Sequence, residues 1–246
     1  MKTAWHETDL YLPVKQFFEA LGYQVRAEVR HCDVALYKDD RLTVIELKKN
    51  FTLQLLYQAI ERQKVCDEVY VAIPRPAKMG RKAYKHMCAI VKKLDLGLIT
   101  VALDSPVKTV EILAGPSHGA EKKKTPGAQK KKRALIEELS ARTCDLNTGG
   151  STKRKLMTAY REKAIKVACA LAQTGDAKAS ELVKRFGCDK NTHSIVYKNP
   201  YGWFVRTGDG YYALSAEGRA ALTDAAFAQV VHYYTEQIKT ISAAET

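Results

Sequence analysis

Three side chains near the start of the chain, Asp33, Glu46 and Lys48, are of the types and spacing that could act together on a phosphoryl group. Cys32 to Lys38 and Leu42 to Lys48 read as strands, with Lys38-Asp39-Asp40-Arg41 as the polar turn between them. If Lys38 and Arg41 flank that turn, Tyr37 falls opposite Leu42, Ala35 opposite Val44, and Asp33 opposite Glu46. Side chains alternate across a sheet, so Glu46 and Lys48 share one face while Ile45 and Leu47 point to the other. Directly opposed residues have β-carbons ~5 Å apart, and like charges there are destabilising. Two carboxylates facing each other at the end of an apolar strand need a compensating charge. Hard oxygen ligands are what Mg²⁺ or Mn²⁺ prefers. Such an ion activates water and polarises a phosphoryl oxygen. Lys48, two residues along, can stabilise the developing negative charge or help deprotonate the water. A Glu-x-Lys at a strand end is on its own as readily a surface ion pair. It is Asp33 at the matching cross-strand position that favours chemistry, provided no bulge at Cys32 breaks the register.

The elements that must position these residues can be read in order. Thr8 to Leu21 has Leu10, Val14, Phe17, Phe18 and Leu21 at helical spacing, and Gly22 can end the helix. Tyr23 to Arg30 is a strand preceding the hairpin. Leu53 to Val65 is a helix with Leu53, Leu56, Tyr57 and Ile60 as its apolar stripe, and Gln54, Gln58, Glu61 and Arg62 on the polar one. The strand Glu68 to Ile73, the helix Arg81 to Leu94, the strand Gly97 to Leu103 and the strand Val107 to Leu113 follow. A strand-helix-strand order implies a right-handed crossover and parallel pairing. The pattern is one α/β domain with a mixed sheet flanked by helices, over residues 1–115.

From Gly115 the composition turns to Gly, Pro and Lys, which reads as an exposed linker over residues 116–155 with a short helix, Ala134 to Arg142. The linker ends in a glycine-rich loop, Asn147-Thr148-Gly149-Gly150-Ser151-Thr152, against Lys153, Arg154 and Lys155. The loop could cradle a phosphate through its amides, but it lacks the Gly-Lys-Ser/Thr ending of a nucleotide-hydrolysing P-loop. In residues 156–246, Ala159 to Ala172, Ala179 to Phe186 and Lys190 to Tyr197 read as three helices. A hairpin follows, Gly202 to Arg206 with Gly210 to Leu214, and then a helical region to about Ile241. That order is expected to make a winged helix-turn-helix. Its third helix would present Lys190, Asn191, His193 and Lys198 to a nucleic acid, with Arg206 and Tyr211 on the wing. Winged helices also dock proteins, and Trp203 and Phe204 are expected in the core.

Charge supports a polyanionic partner. Lys and Arg against Asp and Glu count 18 to 14 over residues 1–115, 11 to 4 over 116–155, and 11 to 9 over 156–246, so +7 of the net +13 sits in the middle segment. Such a tract favours nucleic acid through counterion release, or serves only as a solvated linker. At 46% hydrophobic and 27% charged residues the chain reads as globular. Met1 to Asp9 has no apolar signal core, and no apolar run reaches the ~18 residues that cross a bilayer. A cytoplasmic location follows as the expectation, with the six scattered cysteines as reduced thiols. The six histidines show no zinc-ligand spacing.

The order of a helix-borne Glu7, Asp33, Glu46-Leu47-Lys48 and a Gln-bearing helix is similar to the PD-(D/E)XK phosphodiesterase superfamily. The resemblance implies that Glu7 is the first-helix carboxylate, Asp33 the central metal ligand, and Glu46 and Lys48 the signature pair. Gln58, with Gln54 as the alternative, resembles the polar residue of the following helix that supports the site. Cys32 stands where the motif's name has proline. Glu7 is equally an acidic residue favoured in a helix's first turn, and Lys49 either a phosphate contact or an exposed lysine. Four segments, Glu7-Thr8-Asp9-Leu10-Tyr11, Ile45-Glu46-Leu47-Lys48, Asn147-Thr148-Gly149-Gly150-Ser151-Thr152 and Tyr201-Gly202-Trp203-Phe204, resemble a bacterial family of PD-(D/E)XK-like phosphodiesterases over nearly the whole chain. That resemblance implies a restriction-endonuclease-like fold and Mg²⁺- or Mn²⁺-dependent hydrolysis of phosphodiester bonds in nucleic acid, DNA ahead of RNA. Many such nucleases pair, so a homodimer is a further expectation. The alternative is a non-catalytic DNA-binding or regulatory protein on a nuclease fold.

Overall fold

The computed structural model describes residues 5–76, 81–117, 125–143, 147 and 157–244. The chain divides into two compact units, Met1–Leu156 and Met157–Thr246.

In the first unit the element order is α1 (Thr8–Ala20), β1 (Gln24–Val29), β2 (Cys32–Lys38), β3 (Arg41–Leu47), α2 (Leu53–Gln63), β4 (Glu68–Pro74), α3 (Arg81–Lys93), β5 (Gly97–Val101), β6 (Val110–Ala114) and α4 (Pro126–Ala141). Six strands form one sheet in chain order. β1, β2 and β3 run as an antiparallel meander, β4 and β5 add in parallel through α2 and α3, and β6 returns antiparallel. This is the α/β mixed sheet flanked by helices that the pattern predicts. Both meander turns are two residues long, and their central residues, Arg30 with His31 and Asp39 with Asp40, all have positive φ. Tight hairpins need that left-handed backbone to match the twist of their strands. Asp tolerates it better than most residues, which is why the second turn is readable from its composition.

Strand alternation divides the core in two. Val34, Leu36, Ile45, Leu47, Ala72 and Ile99 pack against Leu10, Val14 and Phe18 of α1. Ala35, Val44, Val71 and Leu98 pack against Leu55 and Ala59 of α2, Met87 and Val91 of α3, and Leu135 and Leu139 of α4. Two readings are corrected here. The inward stripe of α2 is Leu55, Leu56 and Ala59, whereas Leu53 and Tyr57 are 62% and 61% exposed. The small Ala59 allows the helix close to the sheet along that line, and Thr52, accepting from the Leu55 amide at 3.3 Å, sets where the first turn begins. The basic tract, read as linker with a short helix, holds a 16-residue helix that starts at Pro126. Its Leu135 and Leu139 are core residues, its Lys132 pairs with Asp67 at 2.5 Å, and Arg142 just past its end donates to the carbonyls of Ala27 and Glu28. Thr125 as N-cap and Pro126 at the first position are the sequence signal for that start.

The second unit contains α5 (Ala159–Thr174), β7 (Asp176–Lys178), α6 (Ala179–Phe186), α7 (Thr192–Lys198), β8 (Phe204–Gly208), β9 (Tyr211–Leu214), α8 (Ala216–Thr223), a 3-10 turn (Ala225–Phe227) and α9 (Ala228–Ala244). The expected hairpin gains β7 as a third strand, in the order β7-β9-β8. Asp176-Ala177-Lys178 has one apolar residue in three, too little for a strand signal. Trp203 and Phe204 are buried as expected. Asn199, left-handed at φ 40°, holds the Phe204 amide and carbonyl through its side chain, which aims the chain from α7 into β8. Gly218 permits close approach: a β-carbon there would lie 2.2 Å from the Trp203 carbonyl oxygen. Among the described residues no helix is long and apolar enough to cross a membrane.

Candidate active site

The β2–β3 register is the one expected, with Tyr37 opposite Leu42, Ala35 opposite Val44, and Val34 opposite Ile45. Asp33 and Glu46 are the residues adjoining its last pair, Val34 and Ile45. By alternation both face the layer of α2, while Ile45 and Leu47 turn to α1. Asp33 bends toward the end of β3, where its Oδ2 accepts the Leu47 amide at 2.9 Å. Glu46 is buried at 1% exposure, with Arg62 of α2 donating Nε–H to its Oε1 at 2.6 Å. Lys48, just beyond β3, reaches Glu7 at the N-cap of α1, with Nζ to Oε2 at 3.3 Å. One helix and two strands thus bring Glu7, Asp33, Glu46 and Lys48 to one end of the sheet, and a second helix, α2, adds Arg62.

Electrostatics mark the pair. Burial, then the Asp33 charge, raises the Glu46 carboxyl to about 7, against the pull of Arg62 and Lys48. Burial likewise raises Asp33, opposed by the Leu47 amide and Lys48. Cys32, in the place of the motif's proline, is a buried thiol pushed up to about 12 by that burial; it is inert packing rather than a nucleophile.

The polar stripe of α2 is not simply solvated. Gln58 lies one turn from Arg62 on the same face, and its buried Oε1 has no hydrogen-bond partner among the described residues. Gln54 is exposed. Arg62 is the residue that strand pairing could not reveal: it comes from a helix, across a parallel crossover. The one hint was its place on a stripe with Gln54 and Gln58. Among the described residues no group of three or more His, Cys, Asp or Glu converges to hold a metal. Each carboxylate is instead turned to a donor of its own: Asp33 to Leu47, Glu46 to Arg62, Glu7 to Lys48. The donor chemistry nevertheless fits a hard divalent cation, since Asp33 and Glu46 offer paired carboxylate oxygens and Gln58 an unengaged buried oxygen.

Among the other residues singled out, Lys49 is exposed next to Lys48 in sequence, and the rest belong to other segments of the chain. Lys153, Arg154, Lys155 and most of the glycine-rich loop lie outside the described residues. Lys190, Asn191, His193 and Lys198 are exposed or partly exposed at or near α7, and Arg206 is exposed on β8. His193 stacks on Tyr197 at 6.1 Å between centroids, and the tyrosine is 74% exposed.

A mixed sheet flanked by helices on both faces, with Asp33 and Glu46-Leu47-Lys48 on its β2–β3 hairpin, is consistent with the PD-(D/E)XK class of phosphodiester hydrolases. Residues 99–221, half of the chain, match the model of the family described as "Putative PD-(D/E)XK phosphodiesterase (DUF2161)", and the chain belongs to that family. The match begins within β5, so it covers α4 and much of the second unit and leaves the hairpin to be judged on its geometry. No curated protein and no solved structure matches the chain.

Proposed function

We propose that the chain is a nuclease that hydrolyses phosphodiester bonds in DNA with Mg²⁺ or Mn²⁺ held by Asp33 and Glu46 and assisted by Glu7. The observation that carries this reading is the cross-strand pairing of two partly or fully buried carboxylates, both with raised pKa, beside a lysine. A buried like-charge pair is costly unless a cation resolves it. When bound, a divalent ion supplies Lewis acidity and an activated water. The chain's own residues do the remainder. Lys48 presents an ammonium that neutralises charge developing on a phosphoryl oxygen. Gln58, with an acceptor oxygen to spare, can hold and orient a water.

In this reading the second unit is a winged helix-turn-helix. Its three helices, α5 to α7, precede the β8–β9 hairpin, and Lys190, Asn191, His193, Lys198 and Arg206 form the set that meets phosphates and base edges. Lys49 and the Lys153-Arg154-Lys155 triplet would add backbone contacts. Cleavage of plasmid and linear DNA is expected to require Mg²⁺ or Mn²⁺, to stop with a chelator, and to fall at least ~100-fold in Asp33→Ala and Lys48→Ala. Cutting by both variants at the wild-type rate would remove the proposed site.

A second reading, a DNA-binding protein that no longer cuts, draws on Arg62 and Lys48 already pairing with Glu46 and Glu7. Calorimetry of Mn²⁺ with wild type and Glu46→Ala separates the two. The nuclease reading expects binding that the substitution weakens; the second expects no difference.

A further inference from the structure

Among the described residues, Arg62 is the one cation that touches the buried member of the carboxylate pair. Its Nε–H meets Glu46 Oε1 at 2.6 Å, and its Nη2 donates to the carbonyl of His31, at the tight turn between β1 and β2. The side chain of Glu46 is 2% exposed and that of Arg62 25%. Asp33 is served differently, by the amide of Leu47. Lys48 turns to Glu7.

A buried carboxylate without a counter-charge takes up a proton. The guanidinium opposes that, and in doing so occupies an oxygen that a divalent cation would need. A dication and a guanidinium cannot share that oxygen without close like-charge repulsion. We propose that Arg62 is a displaceable counter-ion: it holds Glu46 in the cation-free protein and releases it when a divalent cation binds Asp33 and Glu46. This rests on reading those two carboxylates as metal ligands. The geometry suits release. The two bonds of Arg62 use different nitrogens, so Nε can let go while Nη2 remains on the His31 carbonyl. The part-exposed side chain also regains water as it leaves Glu46.

The test follows Arg62 itself. In the full wild-type chain, titration with Mg²⁺ is monitored by ¹⁵N–¹H NMR of arginine Nε–H groups, with the Arg62 signal assigned as the one Arg62→Lys removes. Calorimetry with Mn²⁺ on wild type and Arg62→Gln runs in parallel. The Arg62 signal is expected to move from an ion-paired to a solvent-like position in step with Mg²⁺ binding. Arg62→Gln is expected to bind Mn²⁺ about tenfold more tightly, the weight of one nearby like charge. If Mg²⁺ binds and the Arg62 signal stays in place, or Arg62→Gln binds no tighter than wild type, displacement is wrong while the metal reading stands. If wild type binds neither ion at millimolar concentration, both fail. The NMR arm titrates the wild-type protein and so does not depend on Arg62→Gln folding.

Discussion

Burial and the neighbouring Asp33 raise the Glu46 carboxyl from an ordinary 4.5 to about 7, so the folded chain keeps a proton there at pH values where the unfolded chain has released it. Stability from this group is therefore fully present below about 4.5 and is lost as pH rises through about 7. The loss is about 3 kcal/mol at most, at 1.4 kcal/mol per pH unit. Glu46→Gln removes the ionisation and keeps an acceptor for Arg62. Without divalent cation, its stability relative to wild type is expected to rise by about 1–3 kcal/mol between pH 5 and pH 8. Urea midpoints at the two pH values measure it, and a gap that is flat or shrinks would count against a Glu46 carboxyl raised by burial. At this scale the sequence revealed Asp33, Glu46 and Lys48 but not Arg62. Strand alternation dictates where Asp33, Glu46 and Lys48 point. Arg62 meets Glu46 only because α2 crosses over the sheet at one particular distance and rotation, and no local pattern encodes that.

The same division holds for the elements. The meander is readable because Asp39-Asp40 is turn chemistry and the flanking residues alternate, so one register satisfies both. For α2, hydropathy alone favours Leu53 and Tyr57 over Ala59, but packing against the sheet selects the line that allows close approach. For α4, eleven cationic residues over 116–155 conceal two leucines a turn apart. Those leucines tie the helix to the sheet through the cluster that also holds Leu55 and Val91. Leu139→Ala is expected to cost the first unit about 2–5 kcal/mol, since Leu139 is fully buried. Thermal or denaturant unfolding of the full chain measures this, and a loss under about 1 kcal/mol would mean that α4 is no part of the core.

For the molecule as a whole, the basic tract does two jobs that deletion would confuse. Removing residues 116–155 would strip Leu135 and Leu139 from the core together with the charge. Neutralising exposed cations alone is the cleaner test. Lys130, Lys131 and Arg133 lie on the outer side of α4, whereas Lys132 is engaged with Asp67. The triple change to Gln is expected to leave the melting temperature within a degree or two and to weaken DNA binding. The slope of log affinity against log salt should become shallower by up to about 0.9 for each phosphate that the variant no longer neutralises. Fluorescence anisotropy across a salt series reads both, and an unchanged slope would assign the tract to solubility alone. The family match spans the tract and most of the second unit. The segments that the family model covers therefore lie beyond the β2–β3 hairpin, in β5, β6, α4 and much of the second unit.

The position of Arg142 bears on a different hazard. β1 is an outer strand of an open six-stranded sheet, and outer strands offer backbone groups on which foreign strands can add. Arg142 is itself buried, donates to the carbonyls of Ala27 and Glu28, and receives Arg26 on its own carbonyl. One guanidinium thereby occupies two acceptors along the margin of the sheet. The contacts that tie Arg142, just past α4, to β1 withdraw two backbone acceptors from pairing with a foreign strand.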